Sequence, residues 1–179
     1  TCLFFSINVY LYKYVIFCDL RVKCVKAGGN MTGRELKPVE NPRLKQAIEA
    51  VKKDPSAENS SKFLNEIVRA EFIIPVSMDR PAEFDKTAGE IILEKDTQIS
   101  FELIKTESGK LYYPLFTDGA ELEKCGVKRD QQNLIVNFDD MAAMILQPQN
   151  QVEGFTVNPM SDDMRFSVDI IAAMKKEME

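Results

Sequence analysis

Residues 97–117 are TQISFELIKTESGKLYYPLFT, and this stretch decides the fold class of the chain. In its first half apolar and polar residues alternate, which is typical of a strand with one buried face. Ser108 and Gly109 then form a turn signal, and a second apolar run follows at residues 110–117. The stretch therefore predicts an antiparallel hairpin whose first strand buries Ile99, Phe101 and Leu103.

Upstream of the hairpin, the pattern predicts two helices. Asn41-Pro42 is typical of a helix start, because Asn can accept bonds from free N–H groups and Pro suits the first helical position. Apolar residues recur at helical spacing until Asp54-Pro55, where this helix should end. Ser56 is expected to cap the second helix, whose inward side chains are Phe63, Leu64, Ile67 and Val68.

A strand and a loop are predicted between these helices and the hairpin. Residues 71–78, EFIIPVSM, have the composition of a strand. Pro75 has no N–H group to donate, so we expect this strand at a sheet edge or with a bulge. Residues 79–96 are polar and contain Pro and Gly, which predicts a loop.

Directly after the hairpin, the sequence predicts a short helix. Asp118 and Glu121 have the spacing of a capping box, in which each side chain binds the other residue's backbone N–H group. The helix should end at Cys125-Gly126, because Gly readily adopts the left-handed conformation that closes a helix.

The remaining elements alternate between strand and helix. Residues 133–138 predict a strand, and Asp139 is expected to cap the helix that follows. Two further strands are predicted at residues 154–159 and 164–166. Ser167 is expected to cap a last amphipathic helix, whose inward side chains are Ile171, Met174 and Met178.

This order of elements predicts an α+β domain. Two helices precede the sheet, the hairpin is antiparallel, and the later strands are separated by helices. Such an order is typical of a mixed sheet, here of about five to six strands, with helices packed on it. We expect the domain to span residues 41–179, after a flexible start at residues 31–40.

The first thirty residues differ from the rest of the chain. Residues 3–20 are aromatic and apolar, and residues 1–30 carry a net charge of +3, whereas the remainder carries −8. We favour a mis-annotated leader, because the codons of Gly28-Gly29 can form a ribosome-binding site just before Met31. A membrane anchor or an attached strand is the alternative, and a signal peptide is a third hypothesis.

The composition excludes several classes of function. The chain contains no histidine, which excludes the Ser-His-Asp triad, the Cys-His pair and histidine-bound zinc. A net charge of −5 is unlike the basic face of nucleic-acid-binding proteins, so we expect no nucleic-acid partner. Cys125 is the one cysteine after residue 30, which fits a reducing compartment and predicts a cytoplasmic location.

Three motifs lie in the second half of the expected domain. They are LYYPLFTD at residues 111–118, GFTVNP at residues 154–159 and RFS at residues 165–167. Together they resemble the N-terminal domain of the SseB family, and the resemblance extends over nearly all of residues 41–179. It implies a bacterial cytoplasmic domain of α/β type without an agreed catalytic set, so no catalytic residue is carried over.

Acidic side chains are the first group that could carry chemistry. A cluster for metal binding or acid–base catalysis is one interpretation, and the favoured alternative is that these acids cap helices or lie in a solvated turn. No metal site and no cofactor are therefore predicted. The acids in question are Asp118, Glu121, Asp139, Asp140, Asp162 and Asp163.

Sulfur-containing side chains are the second group. Cys125 could be a nucleophile, but a helix C-terminus disfavours its thiolate, so an inert thiol is the favoured interpretation. The methionines could line an adaptable groove for a partner, although their helical spacing favours core packing. They are Met141, Met144, Met160, Met164, Met174 and Met178.

Two predicted strand ends could form a binding surface. If they lie side by side, they would create a shallow polar notch with an aromatic floor. Simple turn chemistry is the favoured alternative interpretation of the same residues. The predicted binding residues are Phe116, Thr117, Asp118, Glu121, Asn158 and Pro159.

The function predicted from the sequence is a non-catalytic protein-binding or regulatory module of a bacterial cytoplasm, and no catalytic residue is predicted. The alternative is an enzyme that uses carboxylate and lysine chemistry with a divalent cation. The expected partner is a protein, and a membrane would be involved only if residues 3–20 form a genuine anchor. The oligomeric state is left open.

Overall fold

The protein, seen here as a computed structural model, is described over residues 3–7, 23–26, 38–79, 83–85, 90–92, 99–126 and 132–178. The strands are β1 (Leu3–Ile7), β2 (Lys23–Lys26), β3 (Glu71–Met78), β4 (Glu83–Asp85), β5 (Glu90–Ile92), β6 (Ile99–Lys105), β7 (Leu111–Leu115), β8 (Gln132–Asn137), β9 (Gly154–Val157) and β10 (Met164–Ser167). The helices are α1 (Pro42–Lys53), α2 (Ala57–Arg69), α3 (Gly119–Lys124), α4 (Phe138–Ile145) and α5 (Val168–Glu177).

In the described residues the main sheet is mixed and has eight strands, six of which follow α2 in the chain and have the order β10-β9-β7-β6-β3-β8. Neighbours in this order are antiparallel, except that β7 and β9 run parallel with Tyr113 opposite Phe155. Strand β2 extends the sheet beyond β8, and β1 pairs with β6. The predicted α+β class is confirmed, and α1 and α2 precede the six strands from β3 to β10 that form the body of this sheet.

The main core lies between the sheet and its helices. Helices α1 and α2 contribute Leu44, Ile48, Phe63 and Ile67, all of them buried. Alternation along β3 places Phe72, Ile74 and Val76 in this core and directs Ile73 to the opposite face of the sheet. There, a smaller cluster is formed by Val39, Ile73, Phe116 and Leu122.

The parallel pair determines what lies at one end of the sheet. The chain leaves β7 through α3, β8 and α4 and returns in β9, beside the strand that it left. Carboxyl ends of parallel strands meet at the same edge of a sheet. Leu115 pairs with Val157, so residues 116–118 and residues 158–159 follow neighbouring strand ends.

Pro75 does not lie in an edge strand, so the sheet-edge alternative is wrong, and the alternative of a bulge stays a prediction. Strand β3 is internal, between β6 and β8. The N–H and C=O groups of Ile73 both bind Phe116, and residues two apart direct these groups to the same side of a strand. The nitrogen of Pro75 therefore points to the side of β3 that faces Phe116 and β6. On that side it lies between the Ile73–Phe116 bridge and the pairing with β6, which begins at Val76. No ladder bond is lost at this gap.

Local signals in the sequence predict most of the turns and caps. Gly109 has φ +84° and closes the predicted hairpin turn, and Ser56 and Ser167 cap α2 and α5 with bonds of 3.4 Å. The predicted cap of α4 is wrong. Asn137, not Asp139, caps this helix, and the side chain of Asp140 completes a capping box with it.

Two further predictions concern one loop and the methionines. Residues 79–96 are not simply a loop, because β4 and β5 pair within them. Met141 and Met174 are buried as expected. Met160 and Met178 are 51% and 43% exposed, so the prediction that all the methionines pack inward is wrong for these two.

The hypotheses about residues 1–30 stay predictions. Within residues 1–30, β1 and β2 are strands of the main sheet. Residues 1–2, 8–22 and 27–30 lie outside the described part of the chain. Within the described ranges, no helix combines the length and the apolar character that crossing a membrane would require.

Candidate functional site

The ends of β7 and β9 are joined by side-chain and backbone hydrogen bonds. The N–H group of Asn158 donates to the carbonyl oxygen of Leu115 at 2.9 Å. The N–H group of Thr117 donates to Oδ1 of Asn158 at 3.0 Å, and Nδ2 of Asn158 donates to the Thr117 hydroxyl at 3.1 Å. The two strand ends that the sequence singled out therefore lie side by side.

Asn158 also forms the turn between β9 and β10. Its φ of 48° lies in the left-handed region, which Asn tolerates better than most residues. Its carbonyl oxygen accepts bonds from the N–H groups of Ser161, Asp162 and Asp163. Asn158 therefore both forms the turn between β9 and β10 and joins the ends of β7 and β9.

Asp118 connects this junction to α3 and α1. Its Oδ1 accepts the N–H group of Glu121 at 3.1 Å and caps α3, while Oδ2 accepts the Thr117 hydroxyl at 2.9 Å and Nζ of Lys45 at 2.5 Å. Burial acts to raise the pKa of Asp118, but the bonds from Lys45, Glu121 and Thr117 outweigh it and hold the pKa below its usual value. The carboxylate is therefore ionised and fully engaged at neutral pH.

Glu121 does not complete the predicted capping box. Its carboxylate instead accepts the Ser161 hydroxyl and Nζ of Lys124, each at 2.6 Å. Lys124 also donates to Ser161 at 2.9 Å. The bond to Glu121 raises the pKa of Lys124, so this exposed lysine stays charged.

Asp162 joins the same region to the middle of α1. Its two oxygens accept Nδ2 of Asn158 at 2.8 Å and Nζ of Lys52 at 2.6 Å. Residues 161–163 lie in the predicted turn, where the Asp162 side chain is 19% exposed and the Asp163 side chain is 41% exposed. Each acid of the cluster is thus bound to one lysine.

We call this set of residues the strand-end cluster. Its members are Thr117, Asp118, Glu121, Asn158, Ser161 and Asp162, with the paired lysines Lys45, Lys52 and Lys124. In the portion of the chain that is described, no three Asp, Glu or Cys side chains gather closely enough to hold a metal ion.

Asn41 is bound to the strand-end cluster through Thr117, and the sequence does not predict this contact. It occupies the cap position of α1, but its side chain makes no capping bond. Its Nδ2 instead donates to the carbonyl oxygens of Glu71 and Thr117, at 2.7 and 2.8 Å. The predicted capping role is wrong, and nothing in the local sequence indicates partners 30 and 76 positions away.

A groove of about 350 Å³ opens beside the cluster. Residues 38–42, Lys45 and residues 118–120 line it. Phe116, Thr117, Asp118 and Asn158 are buried, and Pro159 is half-buried. The predicted binding role of the strand-end residues stays a prediction. The groove is the accessible surface that lies next to Asp118.

Cys125 lies outside the groove lining. It occupies the C-terminal cap position of α3, is half-buried, and packs against the smaller apolar cluster on the second sheet face. This environment is the one expected for an inert thiol.

Comparison with known proteins adds one finding. The family model described as SseB protein N-terminal domain matches residues 44–173. This range begins in the first turn of α1 and contains the strand-end cluster, whereas Asn41 precedes it. No curated protein and no solved structure was found to match the chain.

Proposed function

The chain belongs to the SseB N-terminal domain family, and from this premise we propose that it is a non-catalytic protein-binding or regulatory module of a bacterial cytoplasm. One observation carries the proposal. The ionisable side chains of the strand-end cluster are bound to one another, and the accessible groove lies beside them. Such a cluster can hold the shape of a surface without taking part in a reaction.

The pKa shifts support binding over proton transfer. A general acid or base works best when its pKa lies near the working pH. The pKa of Asp118 is lowered and that of Lys124 is raised, so both shifts lead away from neutral pH. Neither group is adjusted toward the exchange of a proton.

The lining of the groove suits contact with a protein. Pro38 and Pro42 are exposed and supply apolar surface, while Glu40 and Lys45 supply charge. Protein interfaces typically combine an apolar centre with a polar rim. Asn41 is bound to Glu71 and Thr117, and Asp118 is bound to Thr117, Glu121 and Lys45, so the wall of the groove is formed before a partner arrives.

Cross-linking from inside the groove tests this function. A photo-reactive amino acid at Ala120, which is exposed and lines the groove, should capture a discrete protein in living bacteria. The same amino acid at Glu107, in the exposed hairpin turn at the opposite end of β7, is the matched control. We expect the captured protein to be absent from the Glu107 sample.

Affinity measurements then decide whether the groove is the contact surface. With the captured partner purified, we expect Ala120→Arg to raise Kd by at least about tenfold, and Glu107→Arg to leave Kd unchanged. Equal affinity for the parent and for Ala120→Arg would overturn the assignment of the groove.

A divalent-cation enzyme is the competing function. It requires carboxylates that are free to bind the ion, so Mg²⁺ or Mn²⁺ at millimolar concentration should then raise Tm. Our proposal expects no such rise. A rise that is lost in Asp118→Asn or Glu121→Gln would favour the enzyme and contradict the proposal.

A further inference from the structure

We draw no further inference here: the strongest candidate, the N-terminal end of α1 where it borders the groove beside Lys45 and Asp118, belongs to the site already described and is a helix N-terminus with no second observation that points to a ligand.

Discussion

Thr117 and Asn158 form one buried unit, although 41 positions separate them in the chain. Each side chain satisfies the other's polar atoms, and both residues are at most 2% exposed. Thr117 follows β7 and Asn158 follows β9, the two parallel strands that are connected through α3, β8 and α4. Their hydrogen bonds therefore hold together the two carboxyl ends of these strands. Thr117 also donates to Asp118, which lines the groove, so the closed strand ends are bound directly to the groove wall.

Asn158→Ala tests the importance of this closure. The change removes several buried bonds and places a side chain that disfavours φ 48° in the left-handed region. We expect the free energy of unfolding to fall by roughly 2–4 kcal/mol. Urea unfolding measures it. Asn158→Gly removes the same bonds but tolerates the backbone angle, so it should cost about 1–2 kcal/mol less. Equal stability of the Ala variant and the parent would contradict the assigned role.

Gly154→Ala tests the close approach of β9 and β10. A Cβ atom at this position would lie 1.8 Å from the carbonyl oxygen of Phe166, and φ is +149°. The backbone would have to separate, so we expect a loss of roughly 3–5 kcal/mol or failure to fold. Gly119→Ala is the matched control, because its Cβ would meet nothing within 4 Å. Its stability should change by less than about 1 kcal/mol in thermal or urea unfolding.

Asp118 makes stability depend on pH in the acid range. Its pKa is lower in the folded protein than in the unfolded chain, so the unfolded chain binds more protons as pH falls. The contribution of Asp118 is therefore complete above its ordinary pKa of about 4 and is lost as pH falls through the folded value. We expect the gap in unfolding free energy between the parent and Asp118→Asn to shrink from pH 6 to pH 3. If the difference in unfolding free energy between the parent and Asp118→Asn stayed constant over this pH range, the charge of Asp118 would not stabilise the fold.

Glu58→Gln is the control for that pH series. Glu58 is bound to Lys62 at 2.6 Å, and this bond also lowers the pKa of Glu58, but both side chains are exposed on α2. Salt screens exposed pairs far more than partly buried ones. At roughly 0.5 M salt we expect the Glu58 variant to match the parent, whereas the pH dependence due to Asp118 should persist.

Short-range patterns predict most of the fold. Gly109 predicts the hairpin turn, Ser56 and Ser167 predict helix starts, and alternation at Phe101 and Leu103 predicts a buried face. Each of these signals acts within about four residues, where backbone geometry and capping are local. Their agreement with one another is what made the mixed sheet predictable.

Long-range geometry was not predictable in the same way. Pro75 is tolerated in an internal strand because, on one side of β3, Ile73 pairs with Phe116 and the residues from Val76 onward pair with β6. The partners of Asp162 and Glu121 depend on how α1 and α3 lie over the strand ends. Neither arrangement leaves a periodic signal in the sequence, because each joins segments that are distant along the chain.

Asn41→Asp separates capping from bridging. Asp is as good a helix cap as Asn, so a capping residue should tolerate the change. The amide of Asn41, however, donates to the carbonyl oxygens of Glu71 and Thr117, and a carboxylate can only accept bonds. Two carbonyl groups would then face a negative charge, and we expect a loss of roughly 2–3 kcal/mol in urea unfolding. Ser56→Asp, at a true cap, should change stability by less than about 0.5 kcal/mol. If Asn41→Asp proves as stable as the parent, the bonds that tie α1 to the strand ends have no energetic importance.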